Sequence, residues 1–404
     1  MAITVATVRG YVLEELLARI LQDNGYRLLV AEEQDPEALK GSSRGLLVRG
    51  RGTTHQVDVL GELDLPLPFS LPMRLFVEAK YRNKRIGVES VRNAYGTIRD
   101  VNEHYGTSTP GSRRIPVKRY QYQYALFSAS GFTRPAQEYA LAQQISLVDL
   151  SNPGFGTLLS TAHRIATQIV NLASEVDVDS LPLNQIRSAL RHALGTWPSD
   201  LTDEDFPEMA SHLDALRGWV DDRPVPTAAS VDDPDRKFVS AEFGYRVLAP
   251  EIWVEVHEEG PELSQGRTLP EAQLIEIAAE LNDFVPEGIV LGFPSAPFVL
   301  VMRVDNPGAF AEYFADSGNG DIPAQLDRRL DRRDDEQTSR NWEIVPFEDV
   351  GFQFSFTLPA VFDDWMLGGK VPTWIMHGAD SLLSSIAFMR EGRVVRLLYQ
   401  PRQG

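Results

Sequence analysis

Two apolar β-segments that each close on charged residues constrain this chain more than anything else in it. The first reads His55-Gln56-Val57-Asp58-Val59-Leu60-Gly61, and the second reads Leu75-Phe76-Val77-Glu78-Ala79-Lys80-Tyr81-Arg82. Alternate residues of a strand share a face. Glu78 and Lys80 are therefore expected to point the same way, with Ala79 between them turned to the core. Asp58 on a neighbouring strand can meet them. Two carboxylates and an ammonium at one spot suit a hard, oxygen-liganded cation with a water beside it. The same trio also fits a salt bridge at the end of a sheet, and the spacing alone does not choose between the two.

Composition narrows the class. The chain has 404 residues, 43% hydrophobic and 24% charged, the texture of a globular protein of two or three domains. No apolar run approaches the roughly 18 residues that span a bilayer. The start, Met1-Ala2-Ile3-Thr4-Val5, lacks a basic region and an apolar core, so no signal peptide is expected. Zero cysteines exclude disulfides and thiolate metal sites. A cytoplasmic protein with no membrane partner is the expectation. The net charge of −18 is unevenly spread. Residues 1–160 carry 19 Lys and Arg against 16 Asp and Glu, a net of +3, and the remainder carries 20 against 41, a net of −21. The first third can approach a polyanion, and the rest repels one.

Along the chain, Leu13, Leu16, Leu17, Ile20 and Leu21 recur at helical period and predict a helix over 11–25, stopped by Gly25. Glu14 lies on the border of that stripe and Glu15 on the opposite, wet face. Glu14 can reach a site at the core's edge or remain a solvated helix acid. Strands are expected over 26–32 and 46–48, with a polar loop over 33–43 between them and prolines marking a connection over 63–73. Arg82, Lys84 and Arg85 form a basic cluster just past the charged strand end, which fits a phosphate backbone or an ordinary solvated loop. A helix over 88–104 follows, with Val91, Ala94, Tyr95 and Ile98 at core spacing and Arg92 off the stripe. Then come a Gly/Pro/basic loop over 107–119, a buried strand over 120–129, a helix over 134–143 and a closing strand over 145–150. This pattern predicts an α/β domain of about 150 residues around a mixed sheet.

Beyond Asn152-Pro153-Gly154 the texture becomes helical and acidic, with helices over 157–172, 183–194 and 203–220. Residues 221–237 have linker composition. The last part, 238–404, reads as an acidic α+β domain, with strands over 238–258, 288–304, 342–357 and 393–399 and helices over 269–284 and 309–315. The domains are therefore 1–152, a helical region 153–222, a linker 223–237, and 238–404. No phosphate-cradling Gly-x-x-x-x-Gly-Lys-Ser/Thr occurs. His257 and His377 stand alone, and 327–335 is a charge run.

The stretch 8–152 resembles the PD-(D/E)XK nuclease superfamily, and within it the Mrr-like restriction endonuclease catalytic domain. The resemblance rests on Leu13-Glu14-Glu15-Leu16-Leu17 running to Gly25-Tyr26, on His55-Gln56-Val57-Asp58-Val59, and on Phe76-Val77-Glu78-Ala79-Lys80-Tyr81-Arg82 continued by Gly87 to Gly96. It rests also on Ser128-Ala129-Ser130-Gly131-Phe132-Thr133-Arg134-Pro135-Ala136 followed by Ile145 to Leu150. Many Mrr-like domains are Gly-rich before the first catalytic Asp, whereas this chain has Thr54-His55-Gln56-Val57. The resemblance implies a four-stranded mixed sheet flanked by helices and Mg²⁺-dependent hydrolysis of DNA phosphodiesters, with Mn²⁺ able to substitute. It implies that Asp58 and Glu78 bind the metal, with Ala79 beside them as a metal-binding position. It implies further that Lys80 orients or activates the attacking water, and that Glu14 is the first-helix acid supporting the site.

Arg82, Lys84, Arg85 and Arg92 are the expected nucleic-acid contacts. Restriction or anti-phage defence is the expected setting, with a homo-oligomer cutting both strands. The acidic C-terminal region is then expected to serve oligomerisation, a protein partner or control of the nuclease. Two other functions stay open on the sequence: a non-catalytic scaffold that keeps the fold, and a nuclease for RNA or structured DNA.

Overall fold

A computed structural model describes residues 4–42, 45–63, 71–108, 115–176, 178, 181–197, 268–281, 288–294, 299–316, 321–329, 340–361, 364, 385–390 and 393–399. The expected helix over 203–220, the linker, the strands over 238–258, His257, His377 and most of the charge run lie outside the described residues.

The first helix, α1 (Val5–Asp23), begins earlier than its leucine stripe suggests because Thr4 caps it, its hydroxyl accepting from the Thr7 amide at 3.2 Å. Asn24 and Gly25 end it, Gly25 with φ +81°. Leu13, Leu16, Leu17 and Leu21 are fully buried, each contributing about 1.5–3 kcal/mol of burial. The helix lies on a five-stranded mixed sheet in the order β1-β5-β6-β9-β10, one strand more than expected. Here β1 is Arg27–Leu29, β5 Val59–Leu63, β6 Met73–Lys80, β9 Gln121–Ser128 and β10 Ser146–Asp149. The pairs β1–β5 and β5–β6 are antiparallel, and β6–β9 and β9–β10 are parallel. Strand parity splits β6 between two cores. Leu75 and Val77 enter the core with α1 and α4 (Gly156–Glu175), and Phe76 enters the core with α2 (Val88–Asn102) and α3 (Arg134–Gln143).

The segment expected to be one strand over 55–61 is two. Residues Thr54–Gln56 form β4, which pairs with β3 (Gly45–Arg49) in a small sheet completed by β2 (Leu39–Ser42), in the order β2-β3-β4. After a break at Val57 and Asp58 the chain joins the main sheet as β5. The polar loop expected over 33–43 contains β2 (Leu39–Ser42), and the one expected over 107–119 contains the antiparallel pair β7 (Gly106–Ser108) and β8 (Ile115–Val117). Strands of three or four residues are too short for an alternation to read; backbone pairing makes them.

The helical stretch after residue 153 packs on α1. Helix α4 lies along it, and α5 (Leu183–Leu194) adds Ile186, Leu190 and Leu194 to the same core. Helix α6 (Glu271–Ala279) joins α4 and α5 there. The C-terminal part has the expected mixture of strands and helix, and its strands close into a seven-stranded barrel, β11-β12-β15-β14-β13-β17-β16. These are β11 (Ile289–Pro294), β12 (Leu300–Val304), β13 (Ile322–Arg329), β14 (Arg340–Pro346), β15 (Phe354–Leu358), β16 (Ser385–Arg390) and β17 (Arg393–Tyr399). Phe310 of α7 (Pro307–Asp316) stacks edge-on with Phe352 and Phe354, and it lies against Phe388. The Asn24 amide joins the barrel to α1, donating to the Ile289 carbonyl at 3.2 Å and accepting from the Leu291 amide at 2.7 Å. No helix among the described residues is long and apolar enough to cross a membrane.

Candidate active site

The chain's change of sheet at Val57–Asp58 creates the site. The Asp58 amide still donates to the Val77 carbonyl at 3.2 Å, but its side chain is released from the ladder and turns to the end of β6. There Asp58 Oδ2 accepts from the Ala79 amide at 2.8 Å. Glu78 and Lys80, two residues apart on one face of β6, form an ion pair, each side chain about a quarter exposed. The Tyr124 hydroxyl of β9 donates to the second Glu78 oxygen. Asp58 thus meets the backbone of Ala79, the residue between Glu78 and Lys80, at the end of β6. Tyr81 continues the strand end. Its ring carries the Arg9 guanidinium 3.8 Å above it, and its hydroxyl donates to the Leu159 carbonyl at 3.1 Å.

Glu14 reaches the same corner from α1, with 8% exposure. Its carboxylate does not stand alone, because Arg187 of α5 donates to it. The Arg187 guanidinium also lies 3.5 Å from Glu15, and Arg191 grips Glu15 in a fork at 2.9 and 3.1 Å. Glu15 is therefore 2% exposed, where the helical wheel of α1 alone put it on the wet face. The wheel cannot see that a second helix covers that face.

The electrostatics reflect crowding of like charge in a buried corner. Burial and the Asp58 carboxylate push Glu14 up to about 8, against the pull of Arg187. Burial also raises Asp58, assisted by Glu78 and opposed by the Ala79 amide and by Lys80. Burial and the Glu78 carboxylate raise the Tyr124 phenol, so it remains a donor to that carboxylate. Burial is the largest cause of all three rises, and Lys80 and Arg187 both act against it at Asp58.

The chain matches no protein-family model and no curated protein. A solved structure described as a protein of unknown function, AF1548, is similar at 18% identity over 52% of this chain and 94% of its own, with a TM-score of 0.27. A likeness that weak carries no argument.

Three of the four expected DNA contacts follow the same strand end directly in the chain. Arg82, Lys84 and Arg85 are exposed on the loop after β6, whose backbone is pinned by the Ser130 hydroxyl on the Lys84 carbonyl at 2.6 Å and the Ile86 amide on Gly131 at 2.9 Å. Arg92 is exposed on α2, its guanidinium 5.6 Å from the Tyr139 ring centre. His55 does not belong to the site; its Nε2 meets Asp100 of α2 at 2.8 Å.

Among the described residues no group of three or more His, Asp or Glu is arranged to hold an ion. Asp58 and Glu78 offer two hard carboxylates, and Glu14 is engaged by Arg187. That set fits Mg²⁺ bound through one or two carboxylates with waters completing its shell, and it does not fit an all-protein cage. Sequence reasoning missed Tyr124, Arg187 and Arg191. Tyr124 sits in an alternating run, Tyr120, Tyr122, Tyr124, whose hydroxyls share one side. The arginines are four apart on α5, a spacing that matches two adjacent acids only once α1 and α5 are known to touch.

Proposed function

We propose that this chain is a metal-dependent phosphodiester hydrolase acting on DNA, a cytoplasmic endonuclease of the PD-(D/E)XK kind. The observation that carries the reading is Asp58 held on the Ala79 amide beside the Glu78–Lys80 ion pair at one strand end, all three residues partly open to solvent.

In this reading Asp58 and Glu78 hold the ion, and Tyr124 fixes the rotamer of Glu78 through its hydroxyl. A bound divalent ion supplies charge neutralisation at the phosphate and a more acidic water. The Lys80 ammonium, already held by Glu78, orients that water and offers positive charge to the phosphate oxygens. The amide of Ala79 keeps Asp58 aimed at the same point. Arg82, Lys84, Arg85 and Arg92 draw the DNA backbone to the strand end.

The test is nicking of supercoiled plasmid with Mg²⁺ by wild type, Asp58→Ala and Lys80→Ala. Wild type is expected to nick only with divalent cation, and each variant to lose at least about 100-fold in rate, the scale of removing one electrostatic group from such a site. Equal cleavage by all three removes the assignment.

A further inference from the structure

Around the start of β6 and the last turns of α1 and α2, arginines are matched to acids. Arg19 pairs with Asp23, Arg27 and Arg74 with Glu62, Arg51 with Glu103, and Arg119 with Asp35. At the end of β6 the matching stops. Arg9, Arg82 and Lys84 meet no carboxylate among the described residues. Two of these follow the strand in the chain, and Arg9 arrives from α1. Tyr81, directly after Lys80, lies with Ala79 against the α1 core, so strand parity places it across β6 from Glu78 and Lys80. Its hydroxyl is tied to the Leu159 carbonyl of α4 at 3.1 Å, and the Arg9 guanidinium rests 3.8 Å from the centre of its ring. The ring is a fixed platform between two helices. Arg9 Nε is buried and finds no acceptor among the described residues, and the first turn of α1 brings no acid to it. An unpaired buried N–H costs stability, which a side chain serving only to cover the ring would not incur. Beside it, a Cβ at Gly10 would meet nothing within 4 Å, so the surface at this point of α1 is open.

We propose that Arg9 is a DNA-backbone contact, held on the Tyr81 ring, so that the duplex is gripped from α1 as well as from the loop after β6. This rests on the reading of the chain as a DNA hydrolase. A guanidinium stacked on a ring keeps its plane fixed and its N–H edge available, and that edge matches the oxygens of a phosphate. Contacts to phosphate set the position of the duplex without reading its sequence. Tyr81 is bonded in the chain to Lys80, so a phosphate on Arg9 sits in fixed register with the strand end. An arginine paired with an acid would have to give up that partner to bind DNA, and Arg9 has none to give up.

The experiment measures binding of the full chain to a short DNA duplex over a range of salt, without Mg²⁺ so that binding is read apart from cleavage. Arg9→Gln is expected to weaken binding about fivefold or more at low salt and to flatten the slope of log affinity against log salt by about one. A merely structural loss would lower affinity and leave that slope alone. Arg9→Lys keeps the charge and is expected to keep the slope. Arg51→Gln, past the other end of α2, is expected to change neither. A wild-type slope in folded Arg9→Gln, a slope in Arg9→Lys as flat as in Arg9→Gln, or the same flattening in Arg51→Gln would each overturn the proposal. If Arg9→Gln fails to fold, Ala6→Glu decides in its place: at an exposed position one turn earlier it offers Arg9 an acid, and the slope should flatten likewise. A wild-type slope there overturns the proposal too. No binding by wild type at any salt would instead reject the DNA-hydrolase reading itself, and this inference with it.

Discussion

Tyr124 is the residue on which the orientation of Glu78 turns. Among the described residues its hydroxyl is the donor from outside β6 that reaches that carboxylate. A hydrogen bond to a charged group is worth about 1.5–3 kcal/mol, so Tyr124→Phe should lower the single-turnover cleavage rate by about tenfold or more while leaving DNA affinity unchanged. Rapid-quench kinetics beside a binding isotherm would separate the two. At the other end of β6, Arg74 is fully buried. Its guanidinium bonds Glu62 and Asp35 at 2.7 Å each and Tyr122 at 2.9 Å, with the Tyr120 ring 3.4 Å away. Arg74→Met removes the buried partner of both acids, leaving Asp35 to Arg119 and Glu62 to Arg27, and should cost about 3 kcal/mol in denaturant unfolding.

Burial works to raise Asp35, but the bonds and charges of Arg74 and Arg119 outweigh it and hold Asp35 below its usual 3.8. A depressed acid contributes stability that is present above its unfolded value and is lost as pH falls through the folded one. Urea midpoints should therefore drop as pH falls below about 4, and drop less steeply in Asp35→Asn. At this scale the sequence put Glu78 and Lys80 on one face of β6, because strand spacing alone sets that. It could not show Arg187, which meets Glu14 from 173 positions away in the chain.

Elements with a clean period were legible to the residue. Helices α3 and α5 and strand β17 have the expected bounds, because Pro135 and Gly195 mark ends and apolar residues mark faces. The break at Asp58 was not legible. The apolar alternation runs through it, and only the transfer of pairing from β3 to β6 reveals that one segment serves two sheets. The closure of the barrel was hidden for a similar reason: β13 pairs in parallel with β17, some 75 positions later, and nothing local encodes that partner. The clamp of Gln185 on Leu269 belongs to this scale too. Gln185→Ala leaves a buried amide N–H and a carbonyl without partners and should cost about 2–4 kcal/mol. Hydrogen exchange should show the loss first in α5 and α6.

For the whole molecule, the charge asymmetry is the property that bears on substrate. Residues 1–160 are net +3 and the remainder net −21, so DNA should bind only through the surface around the end of β6. Replacing Arg82, Lys84 and Arg85 together by Ala should weaken DNA binding and reduce the slope of log affinity against log salt by about three. An unchanged slope would place the DNA elsewhere.

Whether Asp58 and Glu78 share one divalent ion is tested most directly by a crystal of the full chain soaked in Mn²⁺. Anomalous scattering should show an ion bonded to a carboxylate oxygen of each, at about 2.0–2.2 Å, with Glu14 still on Arg187. An ion elsewhere, or Asp58 and Glu78 left without one under saturating Mn²⁺, would contradict it.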